Sequence, residues 1–180
     1  MKKISTLLRL VIWAVMIFGG SALGYYLDYR IFTNIHNSVI FHAISLFIGI
    51  ALLFLLMKIS KNTGRTLAKY GRKGELERMQ TNVLVKSGIY GYMRHPMHLG
   101  LFLFPFGFAF LIGSPSFILI IAPAEIIFML IMIKLLEEPE AINKFGDEYL
   151  EYKKQVGWFC FKPQCIKELL KDVPKNKEIS

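Results

Sequence analysis

With 180 residues, 54% of them hydrophobic and only 19% charged, the chain carries apolar blocks too long for an amphipathic soluble helix, which excludes an ordinary soluble domain. Its net charge of +9 would suit a nucleic-acid binder, yet the basic residues border apolar blocks, and none forms a surface clear of a membrane, so nucleic acid is excluded as a partner. The composition is that of an integral membrane protein, and because lipid leaves backbone groups no external partner, its spans are helical.

The first apolar block predicts a span over about 7–27, after Lys2, Lys3 and Arg9. It outlasts the roughly 7–15 residues of a signal-peptide core and is followed by Tyr25-Tyr26, so it is read as retained. A neutral loop from Asp28 to Asn37 leads to a second span over about 39–58. The connection from Lys58 to Lys86 is polar and is expected to hold a short interfacial helix near Thr66 to Tyr70. Ser87-Gly88 marks a turn, and Pro96 suits the first position of a third span over about 96–113. A tight turn at Pro115 then predicts a helical hairpin with a fourth span over about 116–136. The expected fold is therefore all-α and polytopic, with four transmembrane helices in one domain over about 1–172. The stretch from Lys58 to Arg94 holds nine basic residues, whereas the Gly113 turn has none, which places both termini in the cytoplasm.

Past the fourth span, Phe145, Tyr149, Tyr152 and Val156 fall at steps of four, three and four and predict one amphipathic cytoplasmic helix with a single aromatic stripe. It reads either as a helix packed on the bundle or as a lid over a cofactor. Cys160 and Cys165 lie in this cytoplasmic portion, where neither a disulfide nor a zinc site is expected, and residues 173–180 read as a disordered tail.

Two polar clusters should meet at the cytoplasmic rim. Arg94, His95 and His98 stand where the third span enters, and Lys134, Glu137 and Glu138 where the fourth leaves. Opposite charges brought together by a hairpin suit a zwitterionic ligand, and the N–H groups from Pro96 onward favour an anionic part of it. The plainer reading is interfacial anchoring. His95 and His98 lack a third ligand at a recognisable spacing, so no metal is expected there. Glu125 lies mid-span, where a charge costs about 2.5–3.5 kcal/mol on insertion scales, which points to a substrate-tunnel residue or a hydrogen-bonded structural one. His42 and the carbonyl freed by Pro123 are its candidate partners.

The run Asn82-Val83-Leu84-Val85-Lys86-Ser87-Gly88-Ile89-Tyr90, then Arg94-His95-Pro96 and Gly100, with Glu137-Glu138, Phe145-Gly146, Tyr149, Tyr152 and Val156 downstream, resembles the isoprenylcysteine carboxyl methyltransferase family and its phospholipid methyltransferase relatives over roughly 80–160. The resemblance implies a membrane enzyme that moves a methyl group from S-adenosylmethionine to a lipophilic, membrane-resident acceptor. It implies cofactor contacts from Asn82, Val83, Leu84, Val85, Tyr90, His95, Pro96, Met97, His98 and Glu137. Arg94 would orient an acidic group, His98 or Glu138 would take a proton from an amine or hydroxyl acceptor, and Glu125 and Lys134 would face the acceptor. Two departures stand out: His98 replaces a family tyrosine, and Ile133 stands where the carboxyl methyltransferases keep an arginine one turn before the first glutamate. The rival readings are a nicotinamide-dependent reductase of the sterol reductase type, which shares an Arg-His-Pro-like segment, and a non-catalytic membrane protein.

Overall fold

The computed structural model describes residues 11–74 and 81–173, and among these every regular element is helical, with no strand. Six helices frame the described residues: α1 (Val11–Ile31), α2 (Val39–Tyr70), α3 (Pro96–Ile112), α4 (Phe117–Phe145), α5 (Asp147–Gln155) and α6 (Pro163–Leu170). By length and composition α1, α2 and α4 can cross a membrane, while α3 is a shorter apolar helix. Its path is interrupted at Phe102, because Pro105 has no N–H to give the Leu101 carbonyl. The start of the expected first span and residues 174–180 of the expected tail lie outside the described residues.

Several boundaries depart from the sequence reading. The interfacial helix expected near Thr66 to Tyr70 is the last part of an unbroken α2, which passes through Gly64 and stops only at Gly71. Thr63 and Thr66, buried there, return their hydroxyls to the Ile59 and Asn62 carbonyls at 2.9 Å each, so polar side chains sit in the helix without loss. The turn between α3 and α4 pivots on Gly113 at φ 66°, and Pro115 already belongs to the helix that follows. The single aromatic stripe is divided: the chain breaks at Gly146, α5 carries Tyr149 and Tyr152, and Val156 is extended beyond it.

The described residues fall into two compact units. In the first, within Met1–Phe54 and Phe102–Ile131, α1 presents Gly20, Gly24 and Asp28 as its buried residues, four apart along one face. A Cβ on Gly20 would come within 3.0 Å of Glu125 Oε1 and of the Phe117 ring, and one on Gly24 within 3.0 Å of Ser114 Oγ. Small residues therefore let α1 close on α4, as apolar helices do when no hydrophobic drive separates them from lipid. Ala109, Phe117, Ile121 and Ala122 form the buried cluster of this unit. In the second unit, within Leu55–Leu101 and Met132–Ser180, the end of α2 packs with the 81–95 loop and with α6. The Asn82 side chain exchanges two 2.8 Å bonds with the Lys73 backbone, and the Asn82 and Val83 N–H groups both reach the Gly71 carbonyl.

Cys160 and Cys165 form a disulfide, with Cα atoms 5.9 Å apart, against the expectation of free thiols. That expectation rested on compartment alone, whereas the Pro163 helix start folds the chain back within five residues and brings the two sulfurs together.

Candidate functional site

The second unit is organised around one carboxylate. Glu138 follows a π-helical turn, Ile133–Glu137, in which its N–H bonds the Ile133 carbonyl five residues back. Pro139 supplies the cause, since it lacks the N–H that a regular α-turn would need next. The extra residue rotates Glu138 inward, where it is 3% exposed, while Lys134 is exposed and Glu137 half-buried.

Four side chains donate to this carboxylate. His95 Nε2 reaches Oε1 at 2.8 Å, the Tyr149 hydroxyl at 2.7 Å and Arg94 Nε at 3.1 Å, while Lys153 Nζ lies 2.9 Å from Oε2. Arg94 Nη2 also approaches Oε2, at 3.4 Å. Its remaining nitrogen, Nη1, donates to the Lys153 carbonyl at 3.1 Å and to the Val156 carbonyl. The planar fork of arginine suits this task, since one guanidinium ties a carboxylate of α4 to the end of α5. Backbone pairing completes the clamp: the N–H groups of Arg94 and His95 donate to the Gly157 and Trp158 carbonyls at 2.9 and 3.1 Å. The Tyr152 hydroxyl donates to the Tyr90 carbonyl at 2.5 Å, above the tight turn Gly88–Gly91 that opens on Gly88 at φ 60°.

Burial pushes the His95 imidazole below its ordinary range, and the Glu138 carboxylate, which accepts from Nε2, opposes that fall without reversing it. Burial raises the hydroxyls of Tyr90 and Tyr149 far above the ordinary value of 10, in Tyr149 with help from its bond to Glu138, and Tyr152 is pushed up to about 12. The folded protein thus holds tyrosine protons that the unfolded chain releases. The stability these groups contribute is complete below about pH 10 and is lost as pH rises from there to about 12. Thermal unfolding in detergent should show a flat midpoint up to about pH 10 and a steep fall above it; a midpoint that stayed level from pH 10 to about 12 would contradict the buried network.

Of the residues singled out from sequence, Arg94, His95 and Glu138 come together, with Tyr90 and Pro96 buried beside them in the chain. His98, half-buried on the first turn of α3, stands edge-on to His95 with ring centroids 5.5 Å apart. Val85 is buried, Val83, Leu84 and Met97 are half-buried, and Asn82 is exposed and engaged with the Lys73 backbone. Glu125 belongs to the first unit, against Gly20, and His42 Nε2 donates to the His36 carbonyl at 2.6 Å, not to Glu125. Lys153 was not singled out from sequence. Its spacing of four from Tyr149 was the available signal, since both then rise from one side of α5 toward Glu138. A cavity of about 170 Å³ lies next to the Asn82–Tyr90 run, lined by Ser87, Gly88 and Ile89 with Asn62, Thr66 and Glu168. The buried Asn62 Oδ1 on its wall has no hydrogen-bond partner.

Helices of this length and apolarity, with one polar cluster in the second unit, define a multi-pass integral membrane protein. The sequence model described as phospholipid methyltransferase matches residues 38–148, more than half of the chain. The chain belongs to that family. It is 35% identical over 82 residues to the Saccharomyces cerevisiae protein-S-isoprenylcysteine O-methyltransferase, covering 42% of this chain and 31% of the yeast protein. It is 36% identical over 81 residues to the Homo sapiens protein of the same name, covering 44% of this chain and 28% of that one. A solved structure described as the eukaryotic intramembrane Ras methyltransferase, isoprenylcysteine carboxyl methyltransferase, shares the fold with a TM-score of 0.55, over 81% of this chain and 50% of that one at 22% identity. The matches thus span about a third of the curated relatives' own length.

Proposed function

We propose that this chain transfers a methyl group from S-adenosylmethionine to a lipophilic acceptor resident in the membrane, with both termini cytoplasmic. The observation that carries the reading is the convergence of Arg94, His95, Tyr149 and Lys153 on Glu138, which fixes the Tyr90–His98 segment, the family's motif, against the end of α4. The residues present fit such a donor. Lys153, whose side chain is 42% exposed beside Glu138, is a cation that a carboxylate of the ligand can reach. Glu137 is an acceptor suited to amino and hydroxyl groups, and Tyr90 offers an aromatic ring. When bound, the sulfonium supplies an activated methyl group. The chain's part is to hold Tyr90, His95 and Glu137 around the donor, to keep water out with α5, and to receive at His98 a proton from an amine or hydroxyl acceptor. In this reading Glu138 and Arg94 position the site.

Ile133 is fully buried where the carboxyl methyltransferases keep an arginine, so an acceptor bearing a carboxylate has no cation waiting at that turn. An uncharged or amine-bearing lipid therefore suits this chain better than a prenylcysteine, the group named in its relatives. Calorimetric titration of the purified protein in detergent with S-adenosylmethionine and its demethylated product tests the assignment. Saturable binding weakened at least tenfold by Glu137→Ala and by Tyr90→Ala is expected. Binding of NADPH with no binding of either sulfur compound would overturn it.

A further inference from the structure

Among the described residues four buried side-chain nitrogen or oxygen atoms lack a hydrogen-bond partner, and three of them, Asp28 Oδ2, His36 Nδ1 and Ser116 Oγ, belong to one corner of the first unit. Asp28 ends the small-residue seam of α1 and is fully buried, as is Ser116. One carboxylate oxygen, Oδ1, accepts the Ser116 N–H at 2.7 Å, at the start of α4. The other faces His36 Nδ1 at 3.8 Å, too long for a hydrogen bond. His36 itself is well fixed: its carbonyl engages His42 Nε2 at 2.6 Å, and its ring stands edge-on to those of Tyr25 and His42.

A carboxylate removed from water needs a compensating charge, and here the gap itself has the dimensions of an ion. A cation bonded at about 2.1 Å to a carboxylate oxygen and to an imidazole nitrogen spans such a gap at an angle of about 130°, wider than the tetrahedral value. A bridging water, at about 2.8 Å from each partner, would close to about 85°, a departure of similar size, and unlike the cation would bring no charge. One carboxylate oxygen, one imidazole nitrogen and one hydroxyl form an O/N set that suits borderline divalent ions better than soft ones. We propose that Asp28, His36 and Ser116 form a binding site for a first-row divalent cation, with Asp28 Oδ2 and His36 Nδ1 as the principal ligands and Ser116 Oγ and water completing the shell. All three ligand atoms are buried, and His36, with 24% of its side chain exposed, is the most exposed of the three residues. No three His, Cys, Asp or Glu side chains gather as a ligand set among the described residues, so the protein supplies two such ligands and one hydroxyl here. Bound there, the ion would tie the end of α1 and the Thr33–His36 turn to the first residues of α4.

The test uses the full chain, freed of any histidine tag, stripped with EDTA and held in detergent. Zinc or manganese should raise the thermal midpoint in a saturable way, and elemental analysis after dialysis should find one zinc per chain. His36→Gln, which keeps the Asp28–Ser116 bond, should abolish both responses, and Asp28→Asn should do the same where it folds. The proposal is overturned by a wild-type protein whose midpoint ignores both metals, or by an equal response in His36→Gln. It is overturned equally by a metal-blind midpoint that shifts with pH only while His36 is present, which would make a proton on that ring the compensating charge.

Discussion

Replacing Glu138 with alanine should destabilise the protein by about 3–5 kcal/mol, the usual cost of deserting a buried charge, and lower the midpoint of thermal unfolding by about 10 °C. The reason lies in what is left behind. Arg94 keeps its two carbonyl partners at the end of α5 but loses its only carboxylate, at 9% exposure, while His95 and Tyr149 become buried donors without acceptors. Arg94→Ala should cost less, because Glu138 would still be held by His95, Tyr149 and Lys153. Glu138→Gln should resemble the alanine variant more than the wild type. An amide offers one oxygen to four donors and turns its NH₂ toward the Arg94 and Lys153 cations. The Glu138→Ala and Arg94→Ala variants and their double should depart from additivity by about 1–3 kcal/mol, since they share one network. Equilibrium unfolding in detergent measures each of these proteins, and additivity within error would show that the network is not a unit.

Much of this cluster was legible in the sequence, and the reasons for the remainder are specific. Arg94, His95, Glu137 and Glu138 announce themselves because charged and ionisable groups at the ends of apolar blocks have few places to go. Which glutamate turns inward was not legible, because the register is set by a π-helical turn ahead of Pro139, and a regular helical count misplaces both residues. The extent of α2 was hidden by its glycines. Gly64 reads as a breaker, yet a lone helical glycine costs only about 1 kcal/mol, and the packing of Asn62, Thr63 and Thr66 carries the helix onward to Tyr70. The aromatic stripe from Phe145 to Val156 matched a helical period across a real break, since periodicity is blind to the positive φ of Gly146. The disulfide depends on a chain reversal at Pro163 that spacing alone does not reveal.

Gly49 and Gly64, both on α2, give the second large prediction, because identical substitutions there should move stability in opposite directions. At Gly49 an added Cβ would stand 2.7 Å from the Leu111 backbone nitrogen and 2.9 Å from the Gly107 carbonyl oxygen. Both are main-chain atoms of α3, so no side chain can rotate away, and the Ser45 hydroxyl, bonded to the Phe110 carbonyl at 2.5 Å, holds the helices at that separation. Gly49→Ala should therefore destabilise by about 1–3 kcal/mol, the range for overpacking a closed interface. At Gly64 nothing lies within 4 Å of the added carbon. Gly64→Ala should stabilise by about 0.5–1 kcal/mol through the lost backbone freedom of the unfolded chain. Denaturation midpoints in detergent for the two variants decide the matter. If Gly49→Ala matched or exceeded the wild type, α2 and α3 could not approach as closely as the Ser45–Phe110 bond requires, and the small residue at position 49 would lose its role in setting the distance between them.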